Sequence, residues 1–268
     1  MTTAATETID SFHRGQFQVI QPLGQGHRSG MDAMLLASLV VSKRPCRVAD
    51  LGAGAGAAGM AVASRLDHAE VLLVERSALM AQFARRSLAL EANARLAPRI
   101  SVLEADVSLT GRARAAAGLA DNSFDHVIMN PPFNDAADRK TPDALKAEAH
   151  AMTDGLFDTW IRTASAIARP GGQLSLIARP QSIAEIMSAC SRRFGGIEIT
   201  PLHPRDGENA VRILVTAIKQ SRARLTLRAP LIVHEAQTHR FAGAVDDMNN
   251  GRAGYGRQAP VRHQKLPQ

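Results

Sequence analysis

Cysteine is nearly absent from this 268-residue chain: there are two, Cys46 and Cys190, far apart and outside any cluster of Cys and His. That count excludes a disulfide framework and a thiolate metal site, and the pair reads as two small apolar residues of a reducing compartment. Long hydrophobic runs are missing too, since no stretch approaches the roughly 18 apolar residues of a membrane-spanning helix. The opening residues, MTTAATETIDSF, are polar and carry acids, unlike a secretory or organellar signal. A cytoplasmic location is expected. Acids are in deficit: 25 Asp and Glu against 32 Lys and Arg leave a net charge of +7. From Arg169 onward the imbalance steepens to 15 basic residues against seven acids. Such a balance favours a polyanionic partner through counterion release, with phosphate contacts expected in the C-terminal third.

What is present is an apolar fraction of 45%, enough for one substantial core and a small appendage. There is no internal repeat. Strand and helix patterns alternate along the chain. RVADLG (47–52), EVLLVE (70–75), ISVLEAD (100–106), FDHVIMN (124–130) and QLSLIAR (173–179) read as strands. Helical stretches are expected over 57–66, 78–93, 145–168 and 183–194. Strands separated by helices imply an α/β, doubly wound, mostly parallel sheet. GIEITPL (196–202) and AVRILVTAIK (210–219) follow, joined by HPRDGEN, which is too short for a crossover helix. These last two strands are therefore expected to pair antiparallel, completing a seven-stranded sheet. Such an ending is characteristic of the S-adenosylmethionine-dependent methyltransferase version of the Rossmann-like fold. The expected division is an N-terminal covering segment (1–45), the main domain (46–235) and a flexible basic tail (236–268), the last because its Gly, Arg, Asn and Gln show little apolar periodicity.

The first chemical motif is DLGAGAG, Asp50 to Gly56, at the turn from the first strand into a helix. Gly52, Gly54 and Gly56 allow a tight turn and close approach of the backbone to a ligand, with free N–H groups of the helix start behind them. Glu75 ends the second strand, where a carboxylate can accept hydrogen bonds from two ribose hydroxyls. Asp106 ends the third, placed either to accept from an adenine amino group or to cap the next turn. Together the three strand ends outline an adenosine site.

A dinucleotide dehydrogenase would share those features, so the discriminating motif is MNPPF, Met129 to Phe133. The Asn130 side-chain oxygen and the Pro131 carbonyl can accept both N–H bonds of a planar amino group, Pro131 and Pro132 stiffen the turn, and Phe133 supplies a π-face. An exocyclic amine or an amide nitrogen is a poor nucleophile, because its lone pair is delocalised. Two acceptors aimed at its hydrogens stabilise the positive charge that arises on nitrogen as it attacks. A methyl group on a sulfonium needs neither strong base nor metal, so proximity and alignment carry most of the remainder.

These residues bring the chain to a family it resembles: the bacterial tRNA (adenine-N6)-methyltransferases that modify the adenosine beside the anticodon of a valine tRNA, within the methyltransferase small domain group. The resemblance runs from about Gln21 to Glu235 and rests on GHRSGMDAMLLAS, DLGAGAG, NPPF, IARP (177–180), HPR (203–205) and PLIVHE in that order. It implies S-adenosylmethionine as cofactor and tRNA as partner. It further implies that Asp50 and the glycines hold the methionine part, Glu75 the ribose and Asp106 the adenine. Asn130 to Phe133 would hold the target base, with Asn130 also beside the cofactor, while His27, Arg28 and Asp32 would cover the cofactor. Phe133 stands where many relatives have Tyr. Two other readings stay open at this point: a protein methyltransferase acting on a glutamine amide, and a catalytically silent RNA-binding relative. The basic C-terminal third favours RNA over a protein amide, and the intact Asn130 and glycine loop argue against a silent relative.

Overall fold

The computed structural model describes residues 7–23, 29–132, 155–236 and 238–258. The seven expected strands are all there: β3 (Cys46–Leu51), β4 (Ala69–Glu75), β5 (Ile100–Glu104), β6 (Phe124–Met129), β7 (Ala168–Ala178), β8 (Phe194–His203) and β9 (Arg212–Lys219). Ahead of them stand β1 (Glu7–Phe12) and β2 (Phe17–Pro22), an antiparallel hairpin that the sequence patterns did not indicate. Two short strands, β10 (Thr226–Leu227) and β11 (Leu231–Ile232), add to the far side of β8, making the main sheet nine-stranded rather than seven-stranded.

The order is β10-β8-β9-β7-β6-β3-β4-β5, with β11 also on β8. β3, β4, β5, β6 and β7 run parallel, and β9 lies antiparallel between β7 and β8. Chain order runs one way from β3 to β4 and the other way from β3 to β6. A crevice opens where order reverses in this manner, outside the carboxyl ends of the strands.

Helices α1 (Met31–Ser38), α2 (Ala57–Arg65), α3 (Ala78–Leu88), α4 (Gly111–Ala116), α5 (Leu156–Ile167), α6 (Ile183–Cys190) and α7 (Gly243–Asn249) cover the sheet. One apolar cluster joins Phe17, Val19, Met34 and Leu36 to Met60 and Leu73, and a second joins Leu51, Phe124 and Met129 to Phe157 and Ile161. The N-terminal segment is thus built into the main core. Its hairpin is fastened by side chains: Asn93 accepts from Gln18 N (2.9 Å) and donates to Gln18 O (2.6 Å), and Ser87 Oγ accepts from Ile20 N (2.8 Å). These bonds satisfy the outer edge of β2, which has no further strand beside it among the described residues.

Two expected helices are shorter in the structure. The stretch to Asn93 ends as α3 at Leu88 and resumes as one 3₁₀ turn, Glu91–Asn93; the stretch to Phe194 ends at Cys190, with Arg192 in a left-handed conformation at φ 65°. Residues 145–154 of a third lie outside the described residues.

The expectation of a flexible tail is corrected as far as Gln258. Val245 and Met248 of α7 are buried in the core, and Tyr255 N donates to Ser38 O (2.7 Å). Arg257 donates to Thr216 Oγ1 (2.7 Å) and pairs with Glu198 (3.1 Å), while Arg228 lies 4.0 Å over the Tyr255 ring and 3.6 Å from Glu198. Weak periodicity hid this, because two apolar anchors and a buried carboxylate suffice to order a segment whose other residues are polar. No helix among the described residues is long and apolar enough to cross a membrane.

Candidate active site

A cavity of about 240 Å³ lies at the switch point, lined by the β3 loop (Asp50, Gly52, Ala53, Gly54), the β4 end (Glu75, Arg76), Ala105 and Val107 after β5, and Asn130, Pro131 and Pro132 after β6. The glycine loop is folded over the end of β4: Gly52 N and Ala53 N both donate to Val74 O, at 2.9 and 3.0 Å. Gly52, Gly54 and Gly56 all have positive φ (70°, 57° and 91°), which makes glycine necessary for the turn. A Cβ on Gly54 would have only Met80 Cε within 4 Å, at 3.7 Å, so the space beside it is left for a ligand.

Glu75 stitches the two loops together. One carboxylate oxygen accepts from Gly54 N and the other from Ser77 N, both at 2.8 Å. Each oxygen retains acceptor capacity for a pair of hydroxyls, as a ribose presents. Asp50 is 2% exposed, and its Oδ2 accepts from Gly59 N in the first turn of α2 at 2.9 Å. Burial pushes its carboxyl up to about 7; the Gly59 N–H opposes the shift and the neighbouring Glu75 charge adds to it.

That displacement has a consequence for stability. Because the folded-state value lies above the unfolded one, the native chain holds a proton on Asp50 that the unfolded chain releases between about pH 4 and 7. Ionised Asp50 therefore costs stability as pH rises through this window, and the cost persists above it. Asp50→Asn should raise the stability of the ligand-free protein at pH 8 by up to on the order of 4 kcal/mol and flatten its pH dependence between about 5 and 8. Denaturant titration at several pH values checks it, and a variant no more stable than the parent at pH 8 would reject the buried-carboxylate assignment.

Not every expected residue takes its expected place. Asp106 does not line the cavity; its Oδ1 accepts from Ser108 N (2.7 Å), so it caps the turn while Ala105 and Val107 form the wall. Asp32 does not line the cavity either; its carboxylate pairs with Arg212 at the start of β9 (2.9 Å) and fastens α1 to the sheet. The wall beside it consists of Ser29 and Ala33. Gly56 packs on Leu73 rather than on the cavity: a Cβ there would lie 2.7 Å from Leu73 Cδ1. His27, Arg28 and Phe133 lie outside the described residues.

Other residues that build the site went unnoticed in the sequence. Trp160 of α5, the single tryptophan, lies against the glycine loop so closely that a Cβ on Gly52 would overlap its ring at Cη2. Thr163, three residues on and on the same helix face, donates to Val107 O (2.6 Å) and ties α5 to the β5 loop. Gln21, 1% exposed, accepts from Ser29 N (2.7 Å) and donates to Ser29 O and Asp10, fixing the start of the α1 wall. The sole Trp in a chain of few aromatics was the one available signal; nothing local marks Gln21.

Asn130 completes the site. It follows the last residue of β6, and its Oδ1 is buried with no hydrogen-bond partner among the described residues. A buried acceptor left unpaired is costly, so one that lines a cavity is an acceptor waiting for a donor from a ligand.

The likenesses to known proteins agree with this arrangement. The methyltransferase small domain model matches residues 29–200. A tRNA1(Val) (adenine(37)-N6)-methyltransferase of Shewanella sp. strain W3-18-1 is 25% identical over 216 residues, covering 80% of this chain and 84% of that protein. A ribosomal RNA small subunit methyltransferase C of Haemophilus influenzae is 29% identical over 106 residues, 39% of this chain and 27% of its own. Among solved structures, the Agrobacterium tumefaciens protein Atu636, described as a predicted O-methyltransferase, is 63% identical, covers 85% of this chain and 100% of its own, and has a TM-score of 0.76.

S-adenosylmethionine fits the residues present. Its cationic methionine end suits the buried Asp50, its ribose suits the Glu75 carboxylate, and the backbone at Gly54 leaves room for close approach. The matched region runs from the α1 wall through the glycine loop and Asn130 into β8, which is the whole of this cavity: the chain belongs to the methyltransferase small domain family and is an S-adenosylmethionine-dependent methyltransferase.

Proposed function

We propose that the protein methylates the exocyclic N6 of an adenine in tRNA, with the adenosine beside the anticodon of a valine tRNA as its target. The observation that carries this reading is the unpartnered, buried Oδ1 of Asn130 in the same cavity as Glu75 and Asp50. When bound, S-adenosylmethionine supplies an electrophilic methyl group on a sulfonium. Asn130 Oδ1 accepts one N–H of the adenine amino group, and the Pro131 carbonyl is the second acceptor. These acceptors hold the amine with its lone pair turned toward the cofactor side and stabilise the charge developing on nitrogen. Pro131 and Pro132 have no N–H to compete for those acceptors, and their fixed φ angles keep the turn rigid. Phe133, next in sequence, offers a stacking surface for the base.

The names of the Shewanella and Haemophilus relatives support RNA as the substrate class, as does the excess of basic residues. The test is nucleoside mass spectrometry of tRNA treated with the protein and S-adenosylmethionine. The expected product is N6-methyladenosine in one tRNA. Methyl found only on a protein amide, or only on a hydroxyl as the name given to the Agrobacterium protein would have it, overturns the proposal.

A further inference from the structure

Among the described residues, a set of exposed cations without ion-pair partners lies away from the cavity. β8 has the same direction as β7, and β9 the opposite one, so the segment after β9 returns to the amino ends of the parallel strands. Gly196 N donates to Ala223 O (2.8 Å) and Gln220 N to Arg193 O (3.2 Å), placing Arg222 and Arg224 beside the start of β8. Lys43 and Arg44 precede β3 at that same edge, where Cys46 N donates to His68 O (3.4 Å) ahead of β4. Arg95 precedes β5, and Arg192 precedes β8. These six cations are exposed and make no ion pair among the described residues.

Acids at this edge are largely spoken for. Asp125 pairs with Arg169, Asp121 with Arg114, and Glu70 with Arg47 at 4.0 Å. Glu91, in the turn before Arg95, and Asp67, beside His68 ahead of β4, are the exposed exceptions among the described residues. A second cavity of about 240 Å³, lined by Arg47, Glu70, Arg99, Ser101 and Phe124, grooves the half of the row between β6 and β5. At the cofactor edge the charges balance instead: Arg205 stands beside Asp206 and Glu208, and Arg240 near Glu235.

From β8 to β5 the row crosses six inter-strand gaps, roughly 30 Å at about 4.8 Å per gap. It lies a strand length, about 20 Å, from the cofactor end of the sheet. That length suits several successive phosphates, and that separation exceeds what a nucleotide flanking the target base can span.

We infer that the amino-end edge of the sheet is a second RNA-binding surface, taking the phosphate backbone of the body of the substrate RNA while its target adenine occupies the cavity. The inference rests on the reading of RNA as substrate. It reassigns the phosphate contacts expected of the C-terminal third: Arg222 and Arg224 act together with Lys43 and Arg44 from the other end of the chain, and Arg205 belongs to the opposite edge.

The test is a variant with Lys43→Glu, Arg44→Glu, Arg222→Glu and Arg224→Glu, all exposed positions remote from the cavity. Three quantities are compared with the parent: binding of full-length tRNA by fluorescence polarisation at several salt concentrations, KM and kcat for that tRNA, and the same constants for a short stem-loop carrying the target adenine. The expected result is a Kd and KM for full-length tRNA raised about tenfold or more with a shallower salt slope, while kcat, cofactor affinity and the stem-loop constants hold. Unchanged binding of full-length tRNA, or an equal loss for the stem-loop, overturns the surface. A parent that binds tRNA through these residues yet methylates none of it would remove the proposed reaction and leave the surface standing.

Discussion

Asn130→Ala is expected to lower single-turnover methyl transfer to tRNA by about two to three orders of magnitude, with cofactor and tRNA affinities near those of the parent. The size follows from loss of one pre-oriented polar group at a developing charge, about 2.7–4 kcal/mol where oxyanion-hole donors have been removed. The sign of the charge is reversed here, since an acceptor faces a nascent cation, but the electrostatic argument is the same. Ground-state binding should be spared, because the proposed tRNA substrate would touch the protein at many other places and the loops after β3 and β4 are the expected cofactor contacts. Removing an unpaired buried oxygen also costs the fold nothing, so thermal stability should hold or rise. Transfer at the parent rate would mean that NPPF is only a rigid turn at the end of β6.

Glu75→Ala should act on the other substrate. Its two oxygens accept from Gly54 N and Ser77 N, so its loss both removes the expected partner of the ribose and unties the β3 loop from the β4 loop. Hydrogen bonds to a charged group contribute about 1.5–3 kcal/mol each, so two lost ribose contacts predict a cofactor Kd raised by about two orders of magnitude or more. Glu75→Gln keeps one acceptor and should fall between the two. Calorimetric titration with S-adenosylmethionine reads this directly, and an Ala variant that binds as tightly as the parent would move the ribose elsewhere. tRNA binding, which the proposed surface would carry away from Glu75, should be unaffected in both variants.

Much of the site is legible in consecutive residues, for identifiable reasons. A run such as DLGAGAG states its own backbone, because only glycine accepts three positive φ angles in five residues at little cost. NPP states its own stiffness and lack of donors. Glu75 could be placed because strand ends on one side of a doubly wound sheet converge on the switch point. Asp106 was ambiguous between adenine and a turn cap for an equally physical reason: a short carboxylate two residues before a free N–H satisfies itself locally, as it does at Ser108.

Residues whose role depends on a distant partner were hidden. Trp160 meets Gly52 across more than 100 residues, and Gln21 clamps Ser29 only once the β1–β2 hairpin has been docked by Asn93 and Ser87. Arg257 and Arg228 look like tail and loop charges until Glu198 is buried beneath them.

The sequence by itself determined the alternation of strands and helices, the glycine loop after the first main-domain strand and the Asn-Pro-Pro turn, because each is written in consecutive residues through periodicity, φ preference or a missing N–H. Tertiary structure alone decided which charges share an edge. No local pattern makes Lys43 and Arg44 neighbours of the C-terminal arginines. They come to lie on one row with Arg222 and Arg224 because β9 reverses direction between β7 and β8 and returns the chain to the amino ends of the parallel strands. Strand direction is set by pairing across the whole sheet, and no stretch of sequence carries it alone.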